Sequence, residues 1–357
     1  MFCSFTACMP RFLKILFLYF LLPFRAFAQD AWPSPEVEQM YHHAQDYAAM
    51  GNYRDAVTTY RQAIVLAPAM FVLYKELGRA LYLSGNYKEA VQTLQPLIKK
   101  TGADAECFLL LAQSHLMQKD SKNARSVINR GLERFPSSGL LYNEQGRLFD
   151  LKDHREQALD SWREGIRKEP AFAANYAAAA KACFASGDAV WGLLYGEIYL
   201  NLSTDTTNDS AVRKMLFSGY KTMFDNLANE SSKLAGENAK VFEDAVKETY
   251  LTLTPVVSDG ITTESLTMVR TRFIMDWMDK SEKKYPPFSL FTYQDYLIRN
   301  GLFEIYNEWL FGNAESPAEY KAWTDFHPLE MYIFLQKKKE HPLVPETTDF
   351  YNQKNVR

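Results

Sequence analysis

The first places in this sequence where chemistry could reside are its serine–lysine pairs. Ser218-Gly-Tyr-Lys221 and Ser281-Glu-Lys-Lys284 each put a lysine amine about one helical turn from a serine hydroxyl. That arrangement lets an amine deprotonate a nucleophile for acyl transfer, and Lys100-Thr101-Gly102 matches the element that accompanies it. In enzymes using this set, Lys-Thr-Gly follows the serine and lies on a strand. Here it precedes both serines, and no strand-rich stretch surrounds it. The histidines are His42, His43, His115, His154, His327 and His341; they form no His-x-x-x-His pair and meet no cysteine cluster. Neither a metal site nor a cofactor is expected. Asp325 with His327 could exchange a proton, and Glu304 with Glu308 stand one helical turn apart. Paired carboxylates do glycosidic chemistry across a cleft of about 5–9 Å, whereas two acids on one helix usually just face water. There is no glycine-rich phosphate loop. The chain reads as non-catalytic.

Composition narrows the remaining classes. The 357 residues carry 40 basic and 43 acidic side chains, a formal net charge of -3. Such a balance argues against a sequence-independent nucleic-acid binder, which needs a basic surface to displace counterions. With 47% hydrophobic and 14% aromatic residues the chain can bury a large core. Its length suggests about two domains of ~100–200 residues each.

Residues 1–28 read as an export signal. Arg11 and Lys14 precede the apolar run Ile15–Leu22, Pro23 ends it, and Ala26 and Ala28 flank Phe27 in a signal-peptidase pattern. The run is too short to span a bilayer, which takes about 20 apolar residues, and no later run is long enough. Met9 stands closer to the basic residues than Met1 and is the alternative start. The Ala-Phe-Ala-Gln junction points to the periplasm as the compartment, with an extracellular location as the alternative. Beyond the leader only Cys107 and Cys183 remain, too few for a disulfide framework.

A period of 34 residues runs through the first half. Pro68, Pro136 and Pro170 keep it, with Gly102 in the missing slot. So do Ala56, Ala90, Ala124 and Ala158; the bulky Met40, Tyr74, Phe108, Tyr142 and Tyr176; Tyr60, Leu94, Ile128 and Trp162; and the small Ala44, Gly78, Ala112, Gly146 and Ala180. Each unit reads as two amphipathic helices around a short turn, as in Tyr74, Leu77, Leu81 and Ala90, Leu94, Leu97 on either side of Gly85-Asn86-Tyr87. Small residues let the two helices approach, and proline stops the second one. Cys107 and Cys183 fall two units apart, so at ~10 Å between neighbouring helices they cannot meet within the ~7 Å that a disulfide allows. They are expected as buried thiols.

These columns resemble the tetratricopeptide repeat, with Gly51-Asn52-Tyr53-Arg54-Asp55-Ala56 and Gly85-Asn86-Tyr87-Lys88-Glu89-Ala90 close to the family pattern. The resemblance covers residues 36–205 in units 36–69, 70–103, 104–137, 138–171 and 172–205. The last is degenerate, with Gly192 in place of alanine and Thr204 in place of proline. It implies an all-α superhelix, or solenoid, whose first helices line a concave groove that takes a protein or peptide. The position after the small column should face that groove: Gln45, Arg79, Gln113, Arg147 and Lys181. Lys75 and Asn143 lie one turn earlier on the same faces as Arg79 and Arg147. These donors would suit a carboxylate or an acidic segment. The family's chaperone-binding clamp needs lysine and asparagine at set groove positions; Tyr41 and Gln45 stand in those slots of the first unit, so that activity is not expected.

After the polar stretch Ser203–Ser210, residues 206–357 form a helical C-terminal region without a family. Val212, Leu216, Tyr220, Met223 and Leu227 trace a helix able to cap the array. Further helices are expected around 239–254, 263–280, 290–311 and 316–340, broken at Gly260, Pro286-Pro287, Gly312 and His341-Pro342. Gly301-Leu302-Phe303 with Tyr306 and Trp309 resembles a divergent repeat hairpin but lacks its small residue. The main reading is an exported adaptor or scaffold binding a protein partner. The alternative is an envelope carbohydrate-binding or carbohydrate-processing accessory protein using the C-terminal aromatics Phe288, Phe291, Tyr293, Tyr296, Phe303, Tyr306, Trp309 and Phe311.

Overall fold

The computed structural model describes residues 32–204, 208–234, 242–281, 285 and 287–349. The leader, both candidate start residues and Lys284 lie outside the described residues. Among those described, every regular element is helical, and the fold is an all-α tetratricopeptide-type solenoid followed by a helical region. The chain divides into two compact units, residues 1–80 and 81–357.

The repeat region consists of α1 (Pro35–Ala49), α2 (Tyr53–Leu66), α3 (Phe71–Leu83), α4 (Tyr87–Leu97), α5 (Ala105–Met117), α6 (Ser121–Arg134), α7 (Gly139–Asp150), α8 (Arg155–Lys168), α9 (Ala173–Ala185) and α10 (Ala189–Leu202). The second helices α2, α4, α6, α8 and α10 begin at one 34-residue spacing. Helices α2, α6 and α8 stop two residues before Pro68, Pro136 and Pro170, as a residue lacking an amide donor requires. Helix α4 ends earlier, because Pro96 inside its last turn removes a backbone donor there.

The turns keep the period more strictly than the side chains do. Gly51, Gly85, Lys119, Asp153 and Gly187 all adopt positive φ, between 58 and 83°. At each, the next residue's N–H reaches back five residues, as from Asn86 to Leu81 and from Asp188 to Cys183. This closes the first helix and starts the second on a fixed heading. Glycine meets that conformation without strain, and Lys119 and Asp153 meet it at a cost.

In the first unit, Ser34 caps α1 by accepting the Val37 N–H at 3.3 Å. Ala44, Ala56 and Tyr60 form its interior seam, and Tyr74 donates its hydroxyl to the Pro68 carbonyl at 2.9 Å. In the second unit, the small column again sits at the hairpin contacts. A Cβ on Gly146 would overlap the indole of Trp162, whose Nε1 donates to the Asn143 carbonyl at 3.2 Å. Gly192, where other repeats have alanine, lies under Phe184, whose ring would stand 2.9 Å from an added Cβ. Cys107 and Cys183 are buried free thiols, and burial pushes Cys183 up to about 12.

The C-terminal region adds α11 (Asp209–Leu234), α12 (Phe242–Leu251), a 3₁₀ turn (Thr254–Val257), α13 (Thr263–Lys280), α14 (Ser289–Arg299), α15 (Phe303–Asn307), a π turn (Glu308–Gly312), α16 (Asn313–Glu315), α17 (Pro317–Phe326) and α18 (Pro328–Glu340). Two expectations need correction. The helix expected over 290–311 breaks at Gly301 (φ 66°), while Gly312, expected as the break, lies inside the π turn. The segment 316–340 divides at His327, since Pro328 cannot continue α17.

Helix α11 packs on α10, and with α9 and α12 it leaves every residue from Ala189 to Asn201 buried. One apolar cluster then continues from Ala158 to Leu343. Inside it stands an ionic group: Glu197, 2% exposed, and Arg270, 1% exposed, form an ion pair. The same carboxylate oxygen, Glu197 Oε1, accepts from Gln294 at 2.6 Å and from the Tyr306 hydroxyl at 2.8 Å. The rings of Phe303 and Phe311 flank the guanidinium at 5.3 and 5.1 Å.

Gln294 and Tyr306 also explain the hairpin at Gly301. Counted from the left-handed residue, they occupy the places that Ala44 and Ala56 hold around Gly51. The α14–α15 turn repeats the backbone pattern, with Leu302 N–H reaching the Leu297 carbonyl at 2.8 Å. The small-residue contact is replaced by two polar side chains that meet on Glu197.

Candidate partner-binding face

The residues expected in the groove divide between the compact units. Tyr41, Gln45, Lys75 and Arg79 belong to the first; Gln113, Asn143, Arg147 and Lys181 belong to the second. In the first, Gln45 donates to the Tyr41 hydroxyl at 2.9 Å and its carbonyl oxygen faces His42 Nδ1 at 3.2 Å. Trp32 packs on the Tyr41 ring, with centroids 4.8 Å apart. Burial, then the Glu76 carboxylate, raises the Tyr41 hydroxyl. Arg79 is held by Glu76 of its own helix, Nε to Oε2 at 3.0 Å.

The second unit repeats that last arrangement. Arg147 forks onto Glu144, with Nε to Oε2 at 2.8 Å, and this bond raises the guanidinium's already high value. Glu144 is buried and also accepts from Gln113 at 3.5 Å, joining α5 to α7 across the first-helix face. Each arginine therefore already has a carboxylate three residues behind it on its own helix, which lowers its attraction for an acidic partner. The Glu-x-x-Arg spacing, present at Glu76 and again at Glu144, is the sequence signal for this pairing.

Lys181 differs. It is exposed, and among the described residues it has no ion-pair partner. Beside it opens a hollow of about 740 Å³, floored by Ala178, Ala182 and Ala185 of α9 and walled by Leu159 and Trp162 of α8. Arg155, Glu156 and Asp150 stand at its rim. The hollow exists because α9 presents methyl groups where its neighbours present longer chains. The alanine run Ala177–Ala180 with Ala182 marks it in the sequence. The run is legible as a helix and not as a cavity, since a missing side chain leaves no trace of what lies opposite.

The acid–base candidates are engaged separately. Asp325 pairs with Lys321 at 2.6 Å, while His327 stacks on Trp323 with centroids 4.5 Å apart. Burial, with Glu315 and Glu304 nearby, raises the Glu308 carboxyl. Ser218 donates its hydroxyl to the Lys214 carbonyl of its own helix at 2.9 Å.

Parts of this chain are similar to known proteins. The sequence profile described as "Tetratricopeptide repeat" matches residues 47–114. Human protein O-mannosyl-transferase TMTC1 is 23% identical over 128 residues, which is 35% of this chain and 14% of that protein. Among solved structures, TTC0263, a thermophilic TPR protein of Thermus thermophilus, is 16% identical and covers 52% of this chain and 99% of its own, with a TM-score of 0.43. PilF of Pseudomonas aeruginosa is 12% identical, covering 57% and 93% at a TM-score of 0.43. MamA of Desulfovibrio magneticus RS-1 is 14% identical, covering 47% and 96% at 0.38. Residues 47–114 are thus similar to the tetratricopeptide repeat, and the helix pairs around them keep their turns at one 34-residue spacing.

Proposed function

We propose that the protein is a non-catalytic adaptor, exported to the periplasm, whose first-helix face binds a peptide segment of a protein partner. The observation that carries this reading is the hollow beside Lys181. An apolar floor with an ammonium free of ion pairs among the described residues at its edge suits a large apolar side chain followed by an acidic one. In the same unit Gln113, Asn143 and Arg147 add hydrogen-bonding groups for the partner's backbone rather than a strong field for an acid, because Glu144 already balances Arg147; in the other unit, taken by itself, Tyr41, Gln45, Lys75 and Arg79 offer the same kind of groups, with Glu76 balancing Arg79. The basic, apolar and small-residue parts of residues 1–28 support export.

Selection of a random peptide display library on the full mature chain tests the proposal. Binders are expected to pair an aromatic or aliphatic residue with a nearby Asp or Glu. Lys181→Glu combined with Ala185→Trp, both on the rim or floor of the hollow, should weaken them about tenfold or more while the melting temperature stays unchanged. Peptides bound equally well by the double variant would overturn it.

A further inference from the structure

Helix α18 is seated on one side only. Phe334 is fully buried, and Lys338, lying over the Trp309 ring at 5.0 Å, donates to the Asn201 carbonyl at 3.1 Å. These two side chains stand one turn apart and hold the helix against the C-terminal core. The opposite side carries apolar groups where water ordinarily meets polar ones. Leu329 is 64% exposed, Tyr332 61% and Ile333 43%, with Phe326 at the end of α17 at 83% and Leu335 at 38%. Spacings of three and four residues make them one stripe. At about 200 Å² for a fully exposed large side chain, the stripe leaves on the order of 500 Å² of apolar surface, in the upper range for the largest patch on a monomer.

Charge is laid out along the same side. Glu330 stands in the first turn, and its ion-pair partner among the described residues is the His327 ring, at 3.8 Å. Lys337 and Lys339 stand in the last turn. Lys337 holds Glu340 of its own helix at 2.8 Å, and Lys339 has no ion-pair partner among the described residues. An acid in the first turn and bases in the last suit the helix macrodipole, but the dipole does not call for exposed apolar groups between them.

A surface with an acid at one end, a base at the other and an apolar middle is complementary to itself turned end for end. Glu330 and Lys337 are seven residues apart and share one flank of the stripe. A two-fold axis across the helix beside Ile333 therefore sets each Glu330 level with Lys337 of the other copy. Two such stripes cover about 1,000 Å² in total, the least that a specific interface requires. An anionic lipid surface fits less well, because the exposed Asp325, Glu330 and Glu340 lie beside the same apolar groups. We propose that α18 and the end of α17 form a two-fold interface between two copies of this chain, with Leu329, Tyr332 and Ile333 packed across the axis and Glu330 paired with Lys337 on each side. The proposal is independent of the hollow beside Lys181.

Sedimentation velocity of the full mature chain over about 1–200 μM tests this. A monomer–dimer equilibrium with Kd on the order of 10 μM is expected. Ile333→Glu, at an exposed position, should weaken it more than about tenfold with the far-UV spectrum unchanged, and Lys181→Glu should leave it as it is. The discriminating experiment mixes charge variants. Glu330→Lys and Lys337→Glu alone should each dimerise about tenfold more weakly, and an equimolar mixture should regain the original affinity, because only the mixed pair sets unlike charges across both contacts. A chain that stays monomeric throughout, a dimer indifferent to Ile333→Glu, a mixture no tighter than its parts, or capture of the monomer by phosphatidylglycerol vesicles in place of dimerisation would each overturn the proposal.

Discussion

Glu197 and Arg270 show how a single side chain can decide the stability of the C-terminal region. Both are nearly fully buried, and their partners Gln294, Tyr306 and Asn307 are contributed by helices distant in sequence. Removing one charge strands the other in an apolar interior. Arg270→Met is therefore expected to cost about 3–5 kcal/mol in urea unfolding, and adding Glu197→Gln should recover part of the loss. A single-variant cost under about 1 kcal/mol would show that water reaches the pair. None of this is legible in the sequence: Glu197 sits in an apolar stretch of α10, and its partners carry no periodic mark. The groove residues are legible by type and spacing. Their in-helix carboxylates Glu76 and Glu144 escape notice, because a ladder read only at one position per repeat ignores what stands a turn away.

The helix pair is set by its turn. Five left-handed residues keep one spacing while two of them are not glycine, so backbone geometry is more regular than residue identity. Equivalent turns should then respond with opposite signs. Gly85→Ala is expected to destabilise by about 1 kcal/mol and Lys119→Gly to stabilise by up to about that amount, read from urea midpoints at constant m-value. Changes of the same sign would mean that side-chain contacts, not φ, govern these turns. The repeat helices are readable because close helix contact demands small residues at fixed spacing. The α14–α15 hairpin lacks one and so falls outside the pattern. Its turn is the same, and its small-residue contact has been exchanged for hydrogen bonds that only the fold brings together.

Across the whole chain, the compact units do not follow the sequence period. The division falls within α3, while one apolar cluster runs from the fourth repeat to Leu343. A period reports which residues are alike and is silent on where contacts are dense. One consequence is that the later repeats are not separable from the C-terminal helices. A chain ended at residue 204 would expose the α10 face that carries Trp191, Tyr195 and Tyr199, all buried at present. It should bind the dye ANS and melt at least about 5 °C lower than the mature chain. An unaltered melting temperature would instead show that α10 is covered without α11 and α12.

The carboxylate of α10 also limits how such an array can grow. A 34-residue cassette duplicated among α5–α8 would reproduce its own seams at each splice, because every hairpin there ends in the same turn. The same cassette spliced after α10 would present Asn129 or Arg163, which stand 68 and 34 residues before Glu197, to Arg270 and Tyr306, which are shaped to receive an acid. Lengthening is thus open to recombination in the middle of the array and closed at its C-terminal junction, where modularity gives way to a keyed fit.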